Sequence, residues 1–196
     1  MNKPNAKEKD YCKKGHQDDK IIRSLLSREL INGKTIYVLD IDYVEFYREI
    51  DVDLLLTNYK YNTTTVECKA DDFPALKDGK KYIFLELISN SKKYSESNGQ
   101  DGLGCILTSK AKFFIFYFIK YDYYLIINSR KLREFIKNNK SRYKEKTAHT
   151  WSPDNRTIWY DSTGIIVPVM DIVKNCDGIL KKSRYKYNDI KNELNI

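Results

Sequence analysis

The chain has 196 residues, enough for one domain with a substantial buried core. With 41% hydrophobic and 13% aromatic residues against 8 glycines and 4 prolines, its composition excludes a disordered or fibrous chain. The formal net charge of +8 favours an anionic partner, nucleic acid first, although lysine-rich chains are basic for unrelated reasons as well.

The opening stretch MNKPNAKEKDYCKKGHQDDK is polar, and no apolar run approaches the roughly 20 residues needed to cross a bilayer. A cytoplasmic protein without signal peptide or membrane span is therefore expected. Cys12, Cys68, Cys105 and Cys176 stand apart with no C-x-x-C pair, and the histidines are His16 and His149 alone. That pattern argues against a zinc knuckle or disulfide framework and predicts free thiols.

Residues 1–15 are expected to form a charged arm. The first periodic segment is DDKIIRSLLSRELING, in which Ile21, Ile22, Leu25, Leu26 and Leu30 share one helical stripe and Gly33 supplies the stop. Asp18, Asp19 and Glu29 fall within the same arc. The plain reading makes Asp18 or Asp19 the helix cap and has Glu29 snorkel at the helix end. The alternative is that a partner or metal faces these acids.

Strand-like segments follow: KTIYVLD, VEFYREIDVDLLLTN, NTTTVECKA and KKYIFLELISN, then a polar glycine-bearing loop, SKKYSESNGQDGLG. AKFFIFYFI and YYLIINS, split by KYD, predict a tight hairpin. A helix SRKLREFIKNNK capped by Ser129 comes next, apolar at Leu132, Phe135 and Ile136 and basic opposite. The tail from Ser141 suggests a strand or two, a turn at Thr163-Gly164 and a helix opening at Pro168. The order of elements argues for an α/β domain on a central mixed β-sheet flanked by helices, with a core at 16–140 and a C-terminal extension at 141–196 packed on it.

The chemistry concentrates at VECKA. Along a strand, Val66, Cys68 and Ala70 make one face and Glu67 with Lys69 the other; in REIDVDLLL, Asp51 and Asp53 likewise oppose Ile50, Val52 and Leu54. Two neighbouring strands would thus bring an aspartate and a glutamate within reach of one cation with oxygen ligands, where carboxylates alone would repel. Lys69 would stand beside that ion, placed to meet a phosphate oxygen or lower the pKa of an attacking water. A solvent-facing salt bridge on an edge strand is the plain alternative. Glu86, inside the apolar strand YIFLELIS between Phe84 and Ile88, adds a further acid.

These features resemble the PD-(D/E)XK nuclease superfamily, whose core runs from an acid-bearing helix to an aspartate strand and then a (D/E)-x-K strand. HQDDKIIRSLL, REIDVDLLL, VECKA, YIFLEL and DGLG, over about residues 16 to 128, look like a family of small phage and bacterial proteins of that superfamily. Ile50 stands where the motif's proline would be, and Leu103 where an aromatic is expected after the loop glycine.

The resemblance implies a restriction-endonuclease-like core and a magnesium- or manganese-dependent deoxyribonuclease, encoded by a phage or mobile element. It implies Asp51, Glu67 and Lys69 as catalytic residues. Asp51, Glu67 and the backbone carbonyl of Cys68 would be metal ligands, with Asp19, preferred over Asp18, and Glu86 as supporting acids. Asp53 competes with Asp51 for the first position.

For a DNA substrate, the candidate backbone contacts are Lys92, Lys93, Arg130 and Arg133, with Lys131, Lys137 and the KKSRYK stretch near them. A homodimer is left open. The rival expectations are a catalytically silent DNA-binding or protein-inhibiting module of the same fold, and a plain structural domain.

Overall fold

The computed structural model describes residues 20–30, 35–41, 43–58, 60–71, 76–77, 80–151 and 158–194. Asp18, Asp19 and the N-terminal arm lie outside these, so the expectation for Asp19 has no structural counterpart here.

Residues 20–30 are helical (α1), and the stripe read from the sequence is the buried one, with Ile21, Ile22, Leu25, Leu26 and Leu30 all buried. Three strands follow as an antiparallel meander: β1 (Thr35–Asp40), β2 (Leu54–Asn58) and β3 (Thr63–Asp71). The chain then leaves this sheet for β4 (Leu76–Lys77), β5 (Lys80–Ile88), α3 (Ser91–Glu96) and α4 (Cys105–Thr108), and returns as β6 (Phe113–Phe118), parallel to β3. The expected hairpin joins β6 to β7 (Tyr123–Asn128), and α5 (Ser129–Asn139) follows.

The remaining elements are β8 (Lys144–Trp151), β9 (Ile158–Pro168), α6 (Val169–Asn175), β10 (Ile179–Lys182) and α7 (Tyr187–Glu193). The fold is therefore α/β, with a mixed six-stranded sheet in the order β1-β2-β3-β6-β7-β10 and a second sheet in the order β4-β5-β9-β8. Residues after 141 do more than cover a core: β9 pairs along β5, β8 completes the second sheet, and β10 extends the first.

Strand alternation decides what each face of the main sheet meets. Leu54, Val66, Cys68, Ile115 and Tyr117 face α1 and the buried Tyr187 and Ile190 of α7. The opposite face offers Phe114, Phe116, Leu125 and Ile127, which pack with Ile83 and Leu85 of β5, Ile165 and Val167 of β9, and apolar residues of α5 and α6. Each such fully buried side chain contributes on the order of 1.5–3 kcal/mol. Among the described residues no helix is long and apolar enough to cross a membrane.

Several local expectations are corrected. VEFYREIDVDLLLTN is not one strand: α2 (Glu45–Glu49) forms first, and the chain turns back through the Val52 N–H donating to the Tyr47 carbonyl. Tyr47, Ile50, Val52 and Leu55 gather there around Ile41 and Ala111, a small cluster that holds the turn. Part of the polar loop is the helix α3, capped by the Asn90 side chain, and α5 is capped by Asn128 rather than Ser129. Glu29 does not snorkel; it is buried, accepting hydrogen bonds from the Tyr124 hydroxyl, the Ser183 hydroxyl and the Arg184 backbone.

Thr163-Gly164 is no turn but the middle of β9. A methyl group built on Gly164 would stand 2.7 Å from the Phe84 ring and collide with the Leu85 carbonyl oxygen. The glycine is needed because β5 approaches so closely there.

Candidate active site

The register of the meander sets the site. Leu54 pairs with Val66, so continuing the antiparallel pairing brings Asp53 opposite Glu67, on the face away from α1. The parallel pairing of β3 with β6 puts Glu67 beside Phe114 and Lys69 beside Phe116 on that same face. Glu67 and Lys69 thus lie at the margin of the larger apolar core, and the Cys68 thiol is buried on the other side.

Glu67 is a buried carboxylate, its side chain 4% exposed, and its Oε1 accepts from Lys69 Nζ at 2.7 Å. Burial raises its pKa from 4.5 to about 7; Lys69 opposes that shift, while Asp53 and then Asp51 add to it. Lys69 is more exposed, at 41% of its side chain. Burial alone would lower its pKa; Cys105 in its ionised form, then Glu67 with its hydrogen bond and Asp53, raise it. The neighbouring Cys105 thiol is pushed by burial up to about 12 and stays protonated near neutrality. Lys69 is therefore a fixed positive charge and not a proton acceptor.

The two aspartates have separate tasks. Asp53 Oδ2 accepts from the Cys68 backbone N–H at 2.6 Å, tying the start of β2 to the residue between Glu67 and Lys69. Asp51 sits in the turn after α2 with φ of +51°, a left-handed conformation that aspartate tolerates better than most residues. Its Oδ2 accepts from Thr108 Oγ1 at 2.8 Å, and its backbone carbonyl accepts from Ser109 Oγ at 2.6 Å. The loop after α4 thereby fixes Asp51.

Asp51, Lys69, Cys105 and Glu86 line one cavity of about 770 Å³ between the two sheets. Glu86 is half-buried, with its pKa raised by burial against a Ser162 hydrogen bond and the charge of Lys69. A second cavity of about 830 Å³ adjoins it, sharing Glu86, Ser89 and Leu103 and adding Lys93, Glu96 and Asp101. The DGLG stretch forms the wall between them: Gly102 and Gly104 bond to the backbone at Ser89 and Leu87, and Leu103 bridges to Ile88.

The oxygen donors that a hard divalent cation would use here are carboxylates. Glu67 is a buried carboxylate with one cationic partner and two further aspartates raising its pKa, so a second positive charge would lower the energy of the ionised form. Among the described residues no group of three His, Cys, Asp or Glu side chains is placed to hold a metal ion. Magnesium is commonly held by one or two carboxylates, with water and substrate phosphate completing the shell.

The expected phosphate contacts are dispersed. Lys93 lines the second cavity, whereas Lys92 and Arg130 are exposed and stand 3.9 and 3.7 Å from Glu96 and Glu134 on their own helices. Arg133 is turned inward, its Nε donating to the Ile106 carbonyl at 2.8 Å and a terminal nitrogen to the Ser109 carbonyl. It anchors α5 to the loop that holds Asp51, so a phosphate would have to compete with those carbonyls. Lys131 pairs with Asp177.

Three residues of the site were missed in the sequence. Lys146 lines the main cavity from β8, and its signal was the alternation of Lys144, Lys146 and Ala148 within a strand. Thr108 and Cys105 arrive through α4, for which no sequence pattern speaks. No protein-family model, no curated protein and no solved structure matches the chain.

Proposed function

We propose that the protein is a cytoplasmic, metal-dependent endonuclease that hydrolyses phosphodiester bonds in DNA. The observation that carries this reading is the buried, incompletely neutralised Glu67 carboxylate and its partner Lys69, the lysine lining one cavity with Asp51 and Glu86. The order of elements adds support. A helix, an antiparallel meander with Asp51 and Asp53 just before its second strand and Glu67 on its third, and a crossover to a strand parallel to the third are compatible with a restriction-endonuclease-like core.

Asp51 and Glu67, with the Cys68 backbone carbonyl, would hold Mg²⁺ or Mn²⁺, which supplies Lewis-acid activation of water and phosphate. Lys69, permanently charged, meets a non-bridging phosphate oxygen and offsets the charge that develops on the phosphorus group. Asp53 holds β3 in register through the Cys68 N–H and keeps Glu67 and Lys69 at a fixed offset. Glu86 reaches the cavity from the second sheet, where its carboxylate would accept a hydrogen bond from the attacking water.

A second reading has one observation in its favour. Lys69 and Glu67 already satisfy each other at 2.7 Å, as they would in a catalytically silent DNA-binding or protein-inhibiting module. Supercoiled, single-stranded and branched DNA, each incubated with Mg²⁺, Mn²⁺, Ca²⁺ or EDTA, separates the two. The endonuclease produces nicked or shortened DNA with Mg²⁺ or Mn²⁺ and none with EDTA. Intact DNA under every metal, with retarded mobility on a gel, supports the silent module instead.

A further inference from the structure

The main cavity is more than a place for a phosphate. Along β5 the alternate residues Tyr82, Phe84 and Glu86 all line it, on the face of the strand opposite to the core residues Ile83 and Leu85, so an aromatic stripe leads from the carboxylate along one wall. The pairing extends that stripe sideways. Ile166 lies opposite Phe84, Gly164 opposite Glu86, and Lys146 opposite Gly164, all on one face of the second sheet. Ile166 and Lys146 also line the cavity.

Phe84 is held in a specific way. Its ring lies so close to Gly164 that a methyl there would be 2.7 Å away, while the side chain remains only half-buried. A flat ring seated on glycine backbone, with its remaining surface toward a cavity, is a platform for another flat ring. Lys69 and Asp51 line the same cavity, and Lys146 adds a second cation on the platform's side. An aromatic surface beside cations is the chemistry that receives a nucleobase with its phosphate.

We propose that the cavity takes one unpaired nucleobase, stacked on Phe84, next to the phosphate held at Lys69, so that the substrate is single-stranded or locally unpaired nucleic acid. The proposal rests on the nuclease reading for the identity of that phosphate. A cavity of about 770 Å³ has the size of a small-ligand site. A base can reach its inner wall only after leaving a duplex stack, so paired substrate bears an unstacking cost that single strands do not. Tyr82 extends the apolar wall beyond Phe84, and Lys146 meets the phosphate on the far side of the base.

The test is fluorescence anisotropy in Ca²⁺ with one labelled oligonucleotide, presented as a single strand, as a full duplex, and as a duplex with a central unpaired bubble. Single-strand and bubble forms are expected to bind about ten-fold tighter than duplex. Phe84→Leu, which keeps apolar bulk without a ring, is expected to remove most of that preference and leave duplex affinity unchanged, and Phe84→Trp to retain it. Equal affinity for single strand and duplex, or an equal loss on both with Phe84→Leu, overturns the proposal.

The failures are distinguishable. If duplex is cut with Mn²⁺ and Phe84→Leu is neutral, the stacking seat falls and the nuclease stands. If Phe84→Leu acts selectively on single strands but no DNA is cut with any metal, the seat stands and the nuclease falls.

Discussion

Replacing Lys69 with methionine is expected to lower Mg²⁺-dependent cleavage by about 10²–10⁴-fold while leaving the fold intact. The side chain is 41% exposed, and its aliphatic stem is matched by methionine, so little packing is lost. What is lost is the fixed positive charge beside the scissile phosphate. Removing it also takes away the group that opposes the upward shift of Glu67, so any residual activity should have its pH profile moved to higher pH. Rates measured across pH 6 to 9 with a melting curve for each variant check this. A variant that melts like the wild type and still cuts at the wild-type rate would remove Lys69 from the reaction.

Glu67→Gln is expected to stabilise the metal-free protein at high pH, a result that a solvent-exposed carboxylate would not give. The folded state holds the Glu67 proton up to about pH 7, whereas the unfolded chain releases it near 4.5. Between those values the folded state binds more protons, so this group makes stability fall as pH rises, and the loss is complete above about pH 7. For a shift from 4.5 to about 7, the wild type loses on the order of 2–3 kcal/mol between pH 5 and 8 from this group. Glutamine keeps the shape, removes the titration and leaves Lys69 its solvent contact. Urea unfolding in EDTA should show that part of the decline in the wild type and not in the variant. Parallel curves for the two proteins would mean that the carboxylate is ordinary.

The pattern of apolar residues carried most of what was legible beforehand. The period of α1 and the alternation of Val66, Cys68 and Ala70 against Glu67 and Lys69 were readable because each depends on local geometry alone. The spacing in REIDVDLLL misled, because a strand and a short helix followed by a turn can bury the same Ile50, Val52 and Leu54; only the cluster with Ile41 and Ala111 decides between them. Gly164 read as a turn because its reason lies in β5, distant in sequence. Glu29 was misjudged for the same cause: its partners Tyr124, Ser183 and Arg184 come from elements that no periodicity connects to α1. The choice between Asp51 and Asp53 likewise needed the register, which gives Asp53 to the Cys68 N–H and Asp51 to the cavity.

The buried carboxylate and the cavity that its partner Lys69 lines connect all these results. Glu67 is expensive to keep ionised in the metal-free protein, and Lys69 offsets only part of that cost. Asp51 and Glu86 bring still more negative charge to the same cavity. In the proposed nuclease a divalent cation would stabilise this arrangement, and the proton on Glu67 would compete with that ion for the site.

Titration of the protein with Mn²⁺, followed by electron paramagnetic resonance at pH 5.5 and pH 8, measures that competition directly. The account predicts a single bound Mn²⁺ whose affinity is distinctly higher at pH 8 and is lost in Glu67→Ala. Mn²⁺ that binds with the same affinity in Glu67→Ala, or that fails to bind the wild type at either pH, would contradict it.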